Sequence, residues 1–188
     1  MRFIKKLSVF EKQIIALFTL FSIALSAISS FSIYKVLEKQ NTKEFKEEIS
    51  YIVLTSSAGL NGDQLDKIHA SPETTVTEYK IYQAYLQDAI KNIPQADDLY
   101  TLRMDEDGNV VFGVDAYSGE DAPAVGEVYL DATNTLQEAF SSDAIVSVEP
   151  DIYTDEWGTW LSAYTPIYRS DGTVAEILAV DMIADSFL

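Results

Sequence analysis

The chain has 188 residues, no cysteine, one histidine and a formal net charge of −17. Without cysteine it can build neither a disulfide framework nor a thiolate metal site, and one histidine leaves a transition-metal centre short of ligands. The acidic excess repels nucleic acid and anionic lipid headgroups and favours cationic or zwitterionic ligands, although the same charge also serves solubility alone.

Residues 1–13 form a basic head, with Arg2, Lys5, Lys6 and Lys12 against Glu11. Residues 14–33 carry no charge, no Pro and no Gly. At about 1.5 Å per helical residue this run spans roughly 30 Å, the thickness of a bilayer's hydrocarbon core. It is expected to cross the membrane once. A cleaved secretory signal is the competing reading, with small residues at Ala24, Ser26, Ala27 and Ser29. The run is longer than a signal's apolar region and continues past those sites, which favours an uncleaved anchor. Within it Ser22, Ser26 and Ser30 recur every four residues, a stripe that lets two helices approach, but serine is common in such segments anyway.

Lysines flank the run on both sides, so the local count does not orient it. The remainder decides: from residue 49 onwards only Lys67, Lys80, Lys91, Arg103 and Arg169 oppose 25 carboxylates. Such a long domain translocates largely regardless of local charge. The head is therefore expected in the cytoplasm and residues 34–188 outside it, anchored to the cell membrane. That leaves about 150 residues, enough for one domain with a core.

Beyond the apolar run, Tyr34, Leu37, Asn41, Phe45, Ile49, Ile52 and Ser56 keep helical spacing, and no Gly or Pro intervenes before Gly59. The pattern predicts one long helix leaving the membrane and entering the domain, a coupling stiff enough to transmit displacement. His69 falls in a short polar helix over 64–70 and is expected to be solvated. A second helix begins near Ser71, Pro72 and Glu73 or in the threonine run, and ends at Pro94. Its stripe of Tyr79, Tyr82, Tyr85 and Leu86 is the face expected to pack on a sheet. From Asp98 the period becomes two. Residues 99–104 and 109–114 flank an Asp-Gly turn and read as a hairpin. After a loop over 116–126 and a short helix near 133–140, residues 145–148 read as a strand. A second hairpin joins 159–168 to 173–182. The order predicts an α+β domain with helices on one face of an antiparallel sheet.

In the last hairpin, Trp160, Ser162, Tyr164 and Pro166 share one face of their strand, while Ala175, Ile177, Ala179 and Asp181 share a face of the next. Aromatic walls, small residues and one carboxylate are what a small-molecule recess needs; ordinary core aromatics and an edge carboxylate are the alternative. Residues 115–127, the run from Tyr153 through Trp157-Gly158-Thr-Trp160 and Tyr164-Thr-Pro166-Ile167, the Asp171-Gly172 turn, and Ile177-Leu-Ala-Val-Asp181 resemble the Cache domains. These are PAS-like extracytoplasmic sensor modules of bacterial and archaeal membrane receptors. The resemblance covers residues 34–182 and is most specific over 153–181. It implies a five-stranded antiparallel sheet behind a long N-terminal helix, cradling a small polar metabolite: an amino acid, an amine or a carboxylate. It implies that Trp157, Trp160 and Tyr164 line the pocket and that Asp181 holds a ligand amine, with Arg103, Asp115 and Tyr117 as further ligand-binding candidates. It also implies a signalling partner of kinase, cyclase or chemotaxis type. A homodimer shifting between two states is the expected mechanism.

Receptors of this kind continue into a second membrane helix and an output module, whereas this sequence stops at Asp185-Ser186-Phe187-Leu188. It is read either as a truncated receptor or as an anchored sensor working through a partner. No nucleophile elbow, phosphate loop or zinc-protease histidine pair is present, and Asp105-x-Asp107-Gly108 places its glycine too early for a calcium loop. The chain is thus read as a sensor rather than an enzyme, with no cofactor and no metal. A membrane-tethered scaffold with a filled sheet face, or a secreted hydrolase with converging carboxylates, are the alternatives.

Overall fold

A sequence free of Pro and Gly up to Gly59 gives one uninterrupted helix, α1 (Val9–Ser57). Its start is a capping box: the Ser8 N–H donates to Glu11 Oε2 at 2.7 Å and the Glu11 N–H donates to Ser8 Oγ at 3.2 Å. The computed structural model describes residues 8–71, 76–91, 93–141, 143, 145–155 and 157–183. The first seven residues of the expected basic head, the expected start of the second helix at 72–75, and residues 184–188 lie outside the described residues. The chain divides into two units, one ending at Glu44 and the other beginning at Phe45. In the first, the side chains of residues 14–33 are exposed throughout, and α1 is the one helix among the described residues long and apolar enough to cross a membrane.

In the second unit the helical stripe seen in the sequence becomes a buried seam: Ile49, Ile52, Val53 and Ser56 of α1 are buried. The last turn of α1 leaves carbonyls without helical partners. One of them, Ser56 O, accepts from the Tyr85 hydroxyl at 2.9 Å. Helix α2 (Gly62–Ala70) is capped by Asn61, whose side chain accepts the Gln64 N–H. Helix α3 (Val76–Ile90) buries Leu86 completely and packs Tyr79, Tyr82 and Tyr85 against the same core, as its stripe predicts.

The strands are β1 (Ala96–Met104), β2 (Val110–Asp115), β3 (Ser147–Val148), β4 (Tyr153–Thr154), β5 (Thr159–Tyr168) and β6 (Val174–Ile183), with helix α4 (Asn134–Ala139) between β2 and β3. The order across the sheet is β2-β1-β6-β5-β3, all antiparallel, and β4 pairs beside β3 along the same margin of β5. The sheet is thus five positions wide, the fifth shared by two strands of two residues each. Both expected hairpins form, and the glycine of each turn, Gly108 and Gly172, has the positive φ that such turns require. Outside β2 the chain doubles back: the Phe112 N–H donates to Glu127 O at 2.8 Å and the Tyr129 N–H to Val110 O at 2.9 Å.

Period two then sorts the side chains into two layers. Leu99, Ala163, Leu178, Val180 and Met182 pack with α1, α2 and α3. Full burial of each leucine there is worth about 2 kcal/mol relative to exposure. On the opposite face Tyr100, Leu102, Tyr164, Ile177 and Ala179 pack with Phe112, Tyr129 and with Leu136 and Ala139 of α4. Asp181, one pleat beyond Ala179, belongs to this second layer.

Candidate functional site

The second layer is not filled to its end. Beyond Ala179 it opens into a recess of about 260 Å³, bounded by the ends of β1, β2 and β6 and by the segments 115–129 and 155–160. Trp157, Trp160, Asp181, Asp115 and Tyr117, all singled out in the sequence, line it.

Asp181 stands at its floor. The carboxylate is buried and accepts from the Tyr100 hydroxyl at 2.9 Å and from the Ser162 hydroxyl. Burial pushes its carboxyl up to about 7, although the two hydroxyl donors oppose that rise. Asp115 closes β2 and turns the chain into the rim, accepting the Tyr117 N–H at 2.7 Å. Burial, and then the charge of neighbouring Asp98, push Asp115 up to about 8. Asp98 is likewise raised by burial, while its own hydrogen bonds, first that from the Leu99 N–H at 2.7 Å, oppose the rise. Each carboxyl bears on the other, and their surroundings make the fully ionised pair costly.

The aromatic wall has an organiser that residue-by-residue reading missed. Asp155 Oδ1 accepts from the Trp157 N–H, the Gly158 N–H and the indole Nε1 of Trp160, each at 2.9 Å. Its Oδ2 accepts from the Tyr129 hydroxyl at 3.1 Å. An Asp that collects the N–H groups two and three residues on is an Asx turn, and Asp155-x-Trp157-Gly158 carries that signal in the sequence. Phe112 links the wall together, with ring centroids 5.3 Å from Tyr129 and 5.8 Å from both Trp157 and Tyr100. Trp157 meets Phe112 edge-on, at 84°. Tyr100, Phe112 and Tyr129 come from three separate segments, so no spacing in the sequence joins them.

The rim is held from the far side by α3. Gln83 Nε2 donates to Asp115 O at 2.9 Å and Gln87 Nε2 to Ala116 O at 2.8 Å. These polar positions of α3 therefore fix the loop whose side chains bound the recess.

Two residues from the expected set stand elsewhere. Tyr164 is on the right face but farther along β5, where its hydroxyl donates to Glu149 Oε1 at 3.0 Å beside Thr133 and α4. Arg103 lies outside the recess, its Nη1 3.5 Å from Asp66, which also holds Arg169 in a two-point ion pair. His69 differs from its expectation. It is not solvated: its side chain is 10% exposed, with Nε2 3.1 Å from Oε1 of fully buried Glu176 on the helix-covered face of β6. A polar helix of nine residues still has an inward side, and His69 sits beside Ile68 on it. Among the described residues no group of three or more His, Asp or Glu is placed to hold a metal ion.

Solved structures share this architecture at low identity. The sensory domain of the Campylobacter jejuni chemoreceptor Tlp3 with isoleucine bound matches with a TM-score of 0.60 at 18% identity, over 90% of this chain and 64% of that one. The likeness is one of fold. The ligand-binding domain of Tlp3 in complex with L-valine matches at 0.55 and 18%, over 90% of this chain and 65% of that one. A domain of a sensory box/GGDEF family protein from Vibrio parahaemolyticus matches at 0.50 and 12%, over 85% and 61%. The chain spans a little under two thirds of the length of these structures. No protein-family model and no curated protein matches it. The shared fold has the helix-backed antiparallel sheet that the resemblance implied.

Proposed function

We propose that this chain is the sensing part of a membrane receptor. In this reading residues 14–33 anchor it in the cell membrane, the basic head is cytoplasmic, and residues 34–188 form the extracytoplasmic domain. The domain captures a small polar metabolite, an amino acid, an amine or a carboxylate, in the recess above Asp181. Trp157, Trp160, Tyr117, Asp115 and Asp181 contact the ligand, and occupancy biases α1 in a homodimer that passes the signal to a kinase-, cyclase- or chemotaxis-type partner. A ligand produces such a signal only by binding one arrangement better than the other. No step in this reading requires catalysis or a cofactor.

One observation carries the reading. The recess of about 260 Å³ is walled by aromatic rings and floored by a buried carboxylate, and the protein's own side chains leave it open. A scaffold module would have filled that layer. The amino-acid complexes of Tlp3 lend support through the shared fold.

The test is a thermal-shift screen of the full chain in detergent against amino acids, amines and carboxylates. At least one compound is expected to raise the melting temperature by several degrees. Trp157→Ala, which truncates a half-exposed wall residue, is expected to abolish that shift while leaving the unliganded melt nearly in place. A screen without a hit, or a hit indifferent to Trp157, would reject the recess as the sensing site.

A further inference from the structure

The wall of the recess carries six carboxylates, those of Asp97, Asp98, Asp115, Asp121, Asp155 and Asp181. Among the described residues it carries no Lys, Arg or His. Four of the donors at its inner surface already face carboxylates: Trp160 Nε1 and the Tyr129 hydroxyl serve Asp155, the Tyr100 hydroxyl serves Asp181, and the Tyr117 N–H serves Asp115. The Trp157 indole N–H and the Tyr117 hydroxyl, on exposed side chains, are neutral donors and balance no charge. Arg103, the one cation the sequence offered for this role, is turned to Asp66 outside the recess.

An amino acid entering this space would bring two charges. Its ammonium would meet acceptors and aromatic faces. Its carboxylate would meet six carboxylates, with no cation among the lining residues to pair with it. A buried charge in that position is strongly disfavoured unless paired and hydrogen-bonded. A hard divalent ion fits no better, because it asks for several converging oxygen ligands, and among the described residues no three of these carboxylates converge to hold one. What does fit is a positive charge spread over an organic framework. The faces of Trp157, Phe112 and Tyr129 attract such a cation through their quadrupoles, and the carboxylates at the floor and rim neutralise it.

We propose that the recess is selective for a small organic cation that has no carboxylate of its own, such as a primary amine, a diamine or a quaternary ammonium. The proposal rests on the reading of the recess as the ligand site and narrows its ligand to one class. Burial of Asp98, Asp115 and Asp181 works in the same direction, since carboxyls held in a dry site gain most when a cation arrives.

The experiment is isothermal titration of the full chain in detergent with matched pairs that differ only in the carboxylate: isobutylamine against valine, 2-methylbutylamine against isoleucine, and choline against glycine betaine. In at least one pair the carboxylate-free member is expected to bind at least ten-fold more tightly than its partner. Asp121→Lys, a change on the exposed rim, is expected to weaken that amine at least ten-fold, and Trp157→Ala to weaken it comparably. Both variants are first checked by circular dichroism and thermal melting. If an amino acid of a pair binds as tightly as its amine, or more tightly, the proposal fails while the recess survives as a ligand site. If no member of any pair binds, the proposal fails together with that reading. Amine binding that is unchanged in both folded variants places the cation elsewhere and overturns the proposal as well.

Discussion

Asp155 collects four donors on two oxygens and so sets the position of both indoles. Asn at that position keeps the shape and one acceptor oxygen for the three N–H groups, but it loses the charge and turns an amide NH2 toward the Tyr129 hydroxyl that Oδ2 had accepted from. Asp155→Asn is therefore expected to cost about 2–3 kcal/mol of stability, from weakened charge-assisted hydrogen bonds and the Tyr129 hydroxyl left without its acceptor. The same change should shift the tryptophan emission spectrum, because Trp160 and Trp157 are the only two indoles in the chain. Unaltered emission together with an unaltered melt would show that the wall stands without its organiser. Sequence reading picked out the indoles from the Trp-Gly-x-Trp motif but passed over the residue that holds them. An acidic residue in a turn is common, and its role depends on Tyr129, 26 positions away.

Strand β6 alternates between two environments. Glu176 faces the helices and Asp181 faces the recess, five residues apart and so on opposite sides of the pleat. That alternation was legible from period two alone, as were both hairpins, the aromatic stripe of α3 and the long helix. What was not legible is how strands line up beside one another. The register sets Tyr100 opposite Ala179, with an irregularity between Tyr100 and Leu102 on the β2 side, and this puts Tyr100 within reach of Asp181. Two-residue strands such as β3 and β4 likewise carry too few residues for a pattern. Helix α2 hid its polar burial for a related reason: nothing in nine mostly polar residues announces that His69 will meet Glu176. The pair is testable as a unit. Neither carboxylate oxygen of Glu176 has a well-directed hydrogen bond among the described residues, so His69→Ala is expected to destabilise the fold by about 2 kcal/mol or more. Adding Glu176→Gln should recover part of the loss, and a double-mutant cycle should return a coupling of about 1–3 kcal/mol. Strict additivity would show that the two side chains are neighbours without interaction.

At the scale of the molecule, its buried acids set how stability depends on pH. Asp98, Asp115 and Asp181 all titrate above their ordinary value of 3.8 in the folded protein, the last two at about 8 and about 7. The folded state then binds more protons than the unfolded chain between about pH 4 and pH 8. Their contribution to stability is full below about pH 4 and is lost as the pH rises through 7 and 8. Asp66 runs the other way: hydrogen bonding to Arg169 lowers its carboxyl, so its contribution is lost only as the pH falls through that lowered value. The melting temperature of the unliganded protein is expected to be several degrees higher at pH 5 than at pH 8. Asp115→Asn should flatten the slope and raise the melt at pH 8, by an amount of order 1 kcal/mol. Calorimetry at pH 5, 6.5 and 8 on both proteins checks this, and a melt that climbs with pH would contradict the burial of these carboxyls.

The margins of the sheet have a bearing on how copies of this protein can meet. Along β2 the returning segment at Glu127 and Tyr129 occupies the outward-facing amides, and the other margin is broken into two pieces of two residues each. Among the described residues an incoming strand from a neighbour finds no long row of free backbone groups to extend. Among the described residues, then, neither border favours self-association by zipping sheets together.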